Sequence, residues 1–232
     1  MKKISLDRET ARLIVLQRIE LLSPVLRKIR KVFGRYIFSN FVSKFLINTS
    51  FIGSQYYKLM EEELEQISKY IDFTDKNILS IGCGMGGLEL AISQKYPQNS
   101  FDLIEKNYVS KKVKYGWDQK NNEAYNNLEL LNYFLTNNGM KNFFKVYDCD
   151  KGQFPIKKFD LIISLFSLDY HYDFNIYLDY FKKTCDKNTE IIFDTIRPDY
   201  FKAVFKNVKI LNFKQNTVHK SKRILCNEFI KN

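Results

Sequence analysis

Gly82, Gly84, Gly86 and Gly87 crowd into the stretch Gly82-Cys83-Gly84-Met85-Gly86-Gly87, directly after the apolar run Ile78-Leu79-Ser80-Ile81. A backbone that turns sharply and lets a ligand come close has no room for a Cβ, and strand before, helix after is the context that gives such a cluster meaning. Glu105 closes the next apolar run, 23 positions after Gly82. A carboxylate at that strand tip can accept from both hydroxyls of a ribose. A third run ends at Asp148-Cys149-Asp150, where an Asp can accept from an exocyclic amine such as that of adenine.

These residues must be held by strands alternating with helices. Strands are predicted over 77–81, 100–105, 143–147, 159–164 and 190–194, with helices over 88–96, 123–138 (ending at Gly139) and 174–186. Two late strands, 206–213 and 224–230, follow without a long helix between them. The expected fold is α/β, a doubly wound, mostly parallel seven-stranded sheet with right-handed crossovers. Upstream, Leu13, Leu16, Ile19, Leu22, Leu26 and Ile29 recur at steps of three and four, the period of a helix over 7–34 with a kink at Pro24. Residues 37–53 are apolar and punctuated by Gly53, and a second helix is predicted over 56–70. The expected division is a basic helical cap, 1–54, and a ligand-binding α/β domain, 55–232.

The glycine turn, Glu105, Asp148 and Phe159-Asp160-Leu161-Ile162-Ile163-Ser164 together resemble class I S-adenosylmethionine-dependent methyltransferases, over roughly residues 55–232. The resemblance implies a Rossmann-like methyltransferase fold with S-adenosylmethionine as cofactor and S-adenosylhomocysteine as product. It further implies that Gly82 and Gly84 pass the methionine part, Glu105 holds the ribose, and Asp148 with the Cys149 backbone reads adenine. The implied cofactor set is Gly82, Cys83, Gly84, Glu105, Lys106, Asp148, Cys149 and Ser164. One departure is Ser80, where the family usually carries Asp or Glu two residues before the first glycine; backbone carbonyls can serve as acceptors there. A narrower resemblance, carried by Lys106–Trp117, Glu123–Asn126 and Ser164–Tyr172, is to methyltransferases encoded with bacterial surface-glycan genes.

Methyl transfer is an in-line displacement in which alignment carries much of the rate, and a hydroxyl acceptor also benefits from a base. The segment after the fourth strand offers Asp169, Tyr170, His171 and Tyr172. His171 is the expected base, because imidazole titrates near neutral pH and the chain has only two His; Asp169 would orient it or bind the acceptor. Tyr115, Trp117, Tyr170 and Tyr172 are expected to wall the acceptor pocket, and Arg197 to pair with a phosphate or carboxylate on the acceptor. The Asn/Asp-Pro-Pro-Tyr signature of N-methyltransferases is absent after the fourth strand, where Ser164-Leu165-Phe166-Ser167 stands. The expected reaction is therefore O-methylation of a small sugar-like or nucleotide- or phosphate-linked acceptor in polysaccharide biosynthesis.

Composition bounds the alternatives. The 232 residues are 45% hydrophobic and 27% charged with nine Gly and four Pro, which excludes collagen-like and disordered chains. No apolar run is long enough to span a bilayer. Charges at the start argue against export, and four scattered Cys with two His argue against a disulfide framework or a metal site. A reducing cytoplasm is the expected location. The net charge is +11, and residues 1–45 hold eleven Lys or Arg against three acids. The competing readings are a basic protein that binds nucleic acid or a membrane surface while retaining a cofactor fold, and a nicotinamide-dependent oxidoreductase on the literal Gly82, Gly84, Gly87 spacing. Nucleic acid is not expected as a partner; peripheral contact with an anionic membrane is compatible with the charge.

Overall fold

The computed structural model describes residues 4–110, 124–152, 154–212 and 221–230. Seven strands form one sheet: β1 (Asn77–Ile81), β2 (Ser100–Glu105), β3 (Phe144–Asp148), β4 (Leu161–Ser164), β5 (Glu190–Thr195), β6 (Phe205–Ile210) and β7 (Lys222–Phe229). Their order is β3-β2-β1-β4-β5-β7-β6. The first five are parallel, whereas β7 inserts antiparallel between β5 and β6. The β6–β7 connection is too short for the crossover that a parallel return needs, so the chain can only come back antiparallel. That inserted strand separates the fold from the 3-2-1-4-5-6 order of dinucleotide-binding sheets and disfavours the oxidoreductase reading.

The helices are α1 (Arg8–Gln17), α2 (Pro24–Ile37), the single turn α3 (Ser43–Phe45), α4 (Thr49–Ile67), α5 (Gly87–Lys95), α6 (Leu128–Asn137) and α7 (Leu178–Thr184). Ile78, Leu79 and Ile81 of β1 are buried, as a parallel strand covered on both faces requires. One face packs against the N-terminal helices, α5 and α6 in a single apolar cluster that runs from Leu13 and Ile14 to Leu90 and Ile163. The other face is rich in Phe: Phe174 touches Phe181, Phe193, Phe201 and Phe205, with ring centroids 5.0–5.8 Å apart.

Several boundaries differ from expectation for local reasons. Pro24 does not kink a helix; it opens α2, where a missing N–H costs nothing, and the break lies earlier, at Arg18. Gly53 is not punctuation either. It lies inside α4, and a Cβ there would stand 2.9 Å from the Ile4 carbonyl oxygen, so the glycine admits the N-terminal segment. Asn48 caps α4 by accepting from the Phe51 amide, and the helix runs unbroken through residue 54. The stretch expected as one helix over 174–186 is a 3-10 turn (Phe174–Tyr177) followed by α7. Asn127 accepts from the Glu129 and Leu130 amides and starts α6 later than 123.

Candidate functional site

β1, β2 and β4 end at the same edge, and the glycine turn leaves that edge at Gly82. Gly82, Gly84 and Gly86 all have positive φ, near 60–70°. A Cβ on Gly82 would fall 2.0 Å from Ser167 Oγ, so the residue must be glycine for both conformation and space. The turn is clamped from outside the fingerprint. Gln17, the last residue of α1, accepts from the Met85 amide (3.2 Å) and donates to the Tyr125 carbonyl (2.6 Å). The Tyr56 hydroxyl accepts from the Gly87 amide (3.1 Å), and Asn126 donates to the Gly84 carbonyl (2.6 Å).

Glu105 lies in register with Asp148 across the β2–β3 ladder. Its two oxygens accept from the Gly84 and Lys106 amides, each at 2.7 Å. Burial pushes its carboxyl up to about 7, although those two amides and Asn126 pull the other way. With Asn126 as a third donor, the two oxygens retain acceptor capacity for a further hydrogen bond. A cavity of about 180 Å³ opens here, lined by Gly82, Glu105, Lys106, Cys149, Tyr172 and Tyr177 among others. Lys106 pairs with Asp150 (2.9 Å), and the Cys149 thiol meets the Tyr177 hydroxyl at 3.3 Å. Asp148 accepts from the Asp150 amide (3.0 Å) and so shapes the turn that presents Cys149. Cys83, in the glycine turn, is half-buried.

Ser80 donates to Glu89 Oε1 at 2.5 Å, while Glu89 Oε2, also buried, has no hydrogen-bond partner among the described residues. Burial raises the Glu89 carboxyl above its ordinary range. A carboxylate therefore does stand beside the Ser80 position, delivered from the first turn of α5. Sequence spacing gave no signal for it, because nine residues and a turn separate the two. Gln17, Tyr56, Asn126 and Glu89 are the site residues that sequence reasoning missed. Of these, Asn126 lay in a segment already singled out.

Other expected residues are placed elsewhere. Ser164 is buried, donating to the Ile81 carbonyl (2.7 Å) and accepting from the Leu168 amide (3.0 Å); it pins β4 to β1 and does not line the cavity. Asp169 is fully buried, with φ of 56°, and accepts from Thr195 Oγ1 (2.5 Å) and from Arg197 Nη2 (2.6 Å). Arg197 also pairs with Asp173 at 2.7 Å and lies over the Tyr200 ring. Asp169 and Arg197, expected as acceptor contacts, form an ion pair that fastens the 167–173 turn to the end of β5. Within that turn the amides of Tyr170, His171 and Tyr172 all donate to the Ser167 carbonyl. The tight winding sends Tyr172 to the cavity lining, while His171 is exposed, edge-on to half-buried Tyr170. Tyr115 and Trp117 lie outside the described residues.

Beyond β5, Arg223 makes two hydrogen bonds to Asp194 (3.0 Å each) and pairs with Glu63, and Arg18 reaches Glu63 at 3.9 Å. Both guanidiniums lie against the Phe166 ring, at 4.9 and 5.3 Å from its centroid. Burial alone would raise the Glu63 carboxyl; Arg223 and Arg18 hold it below its ordinary range. Among the described residues no group of three or more His, Cys, Asp or Glu is placed to hold a metal.

No functionally curated protein matches the chain in sequence. Among solved structures it is similar to a candidate O-methyltransferase from Nostoc punctiforme, with a TM-score of 0.51 and 10% identity over 74% of this chain and 56% of that one. It is also similar to the T. thermophilus 16S rRNA N2 methyltransferase RsmC, solved with AdoMet and guanosine (TM-score 0.49, 13% identity, 74% and 42% covered). A third is the mitomycin 7-O-methyltransferase MmcR (0.48, 12%, 77% and 55%). The chain spans about half the length of these relatives, and at such identities the likeness shows the fold alone. The sequence profile described as "Methyltransferase domain" matches residues 52–226, well over half of the chain and all of the sheet up to Cys226. On that match, with the glycine turn and Glu105 meeting at the carboxyl edge of the sheet, the chain belongs to the methyltransferase domain family.

Proposed function

We propose that the chain is an S-adenosylmethionine-dependent methyltransferase acting on a hydroxyl oxygen of a small sugar-like or nucleotide- or phosphate-linked acceptor in surface-glycan biosynthesis. The observation that carries the cofactor assignment is the juxtaposition of Gly82, whose Cβ-free backbone borders the cavity, with Glu105, a carboxyl that lines the same cavity and retains acceptor capacity. Glu105 accepts from the ribose hydroxyls. Asp148 and the Cys149 backbone face the adenine, with Lys106, Tyr172 and Tyr177 around it. Glu89 Oε2 is the buried acceptor the site offers to the cofactor's ammonium, in place of the acid that Ser80 lacks. When bound, the cofactor supplies an activated methyl on a sulfonium.

The chain's own work is then to bind, orient and exclude water. Oxygen as the acceptor atom is supported by Ser164-Leu165-Phe166-Ser167, which carries no amide-binding Pro-Pro-Tyr segment. His171, exposed on the 167–172 turn, is the base that takes the hydroxyl proton, and Tyr170 packs against it. Incubation of the protein with methyl-labelled cofactor and a panel of sugars and sugar nucleotides tests the reading. The expected product gains one methyl on oxygen, and His171→Ala lowers kcat by about 10²–10⁴ with cofactor affinity unchanged. Methylation of a nitrogen instead, or a His171→Ala enzyme within about threefold of wild type, would remove the oxygen acceptor or the base respectively.

A further inference from the structure

Between Glu20 and Glu61 the chain has no acidic residue, yet it carries Arg27, Lys28, Arg30, Lys31, Arg35, Lys44 and Lys58. The same stretch leaves an unusual set of large apolar side chains uncovered. Val32 is 75% exposed, Phe33 58% and Phe45 61%, with Val25, Phe41 and Leu46 all more than half exposed. Along α2, Val25 and Val32 are seven residues apart and so share a stripe, with Lys28 beside it and Lys31 further around the helix. Leu26 and Ile29, on the flank opposite Lys28, pack against the core and anchor the helix. Beyond Gly34, whose positive φ bends the chain out of the helix, Phe41 and Phe45 form an exposed ring pair with centroids 5.2 Å apart.

We infer that this face, 24–46, docks on an anionic membrane surface. An interfacial element combines apolar side chains that enter the acyl boundary with Lys and Arg that meet anionic headgroups, their aliphatic stems lying along the apolar surface. Exposed Val, Phe and Leu gain nothing from a nucleic-acid phosphate backbone, which rewards the cations alone. A second copy is disfavoured by charge: a two-fold interface would set this wholly basic segment against itself. Among the described residues no helix is long and apolar enough to cross a membrane, so the contact is peripheral. The inference is independent of the methyltransferase reading.

The test uses the full chain with vesicles of phosphatidylcholine alone and of phosphatidylcholine with phosphatidylglycerol in equal parts, read by co-sedimentation. Binding is expected to the mixed vesicles only, and added salt should release it. Phe33→Ser with Phe41→Ser, and separately Lys28→Glu with Lys31→Glu, should each weaken it at least about tenfold. Both variants should keep the wild-type circular dichroism and melting temperature, which shows that they remain folded. The inference is overturned by absent binding, by equal binding to both vesicles, or by tighter binding to duplex RNA than to the mixed vesicles. A dimer in light scattering that Phe33→Ser with Phe41→Ser converts to monomer would also overturn it, since a second copy would then cover the face.

Discussion

If Glu105 accepts from the cofactor's ribose, as proposed, it does so in one protonation state. Burial raises its carboxyl to about 7, so the neutral acid is populated just below neutrality, whereas two ribose hydroxyls need acceptors. Affinity for S-adenosylhomocysteine should therefore rise with pH, by about tenfold per unit below 7, and level off above it. Calorimetry from pH 5.5 to 8.5 checks this, and Glu105→Gln should bind more weakly with the slope gone; a wild-type affinity independent of pH would discard the assignment. Glu89 makes a sharper distinction, because only the amino-acid end of the cofactor should reach it. Glu89→Gln should weaken S-adenosylhomocysteine by about 10- to 100-fold, the worth of a hydrogen bond to a charged group. Methylthioadenosine, which lacks that end, should bind the variant as well as wild type. Equal losses for both ligands would mean that Glu89 only shapes the turn.

At the scale of elements, the glycine turn is held by helices that precede the sheet, α1 ahead of the family's region and α4 at its start. Gln17 at the end of α1 and Tyr56 in α4 satisfy the Met85 and Gly87 amides, which sharp turns otherwise leave open. Gln17→Ala should cost about 1–3 kcal/mol in urea denaturation, the penalty of a donor left without its partner, and should weaken S-adenosylhomocysteine in parallel. A Cβ on Gly84 would lie 2.6 Å from Gln17 Oε1. Gly84→Ala should thus be less damaging in the Gln17→Ala background, where only its backbone strain remains. Strict additivity of the two substitutions would show that α1 and the turn are not coupled.

For the whole molecule, the N-terminal helices are part of the main core rather than a lid resting on it. Leu13, Ile14, Val15, Leu22 and Phe38 are buried in the same cluster as Ile78 of β1 and Leu90 and Ile92 of α5. Deleting residues 1–50 should strip cover from one face of the sheet and remove Gln17, leaving a chain that aggregates on expression. Recovery of a soluble monomer with the wild-type melting temperature would contradict this.

Residues close in sequence were legible, and residues joined only by packing were not. The alternation of apolar runs with helical periods determined the strands and the α/β class, because buried parallel strands must be apolar on both faces. The glycine turn, Glu105 and Asp148 fall at one edge of the sheet, as their spacing predicts, since each sits at the end of its own strand. Only the tertiary structure decided which polar groups meet. It delivered Glu89 to Ser80, Gln17 and Tyr56 to the Met85 and Gly87 amides of the glycine turn, and Arg197 to Asp169. Motif spacing is local, but a buried charge must find its partner wherever the fold supplies one, and that partner can lie anywhere in the chain.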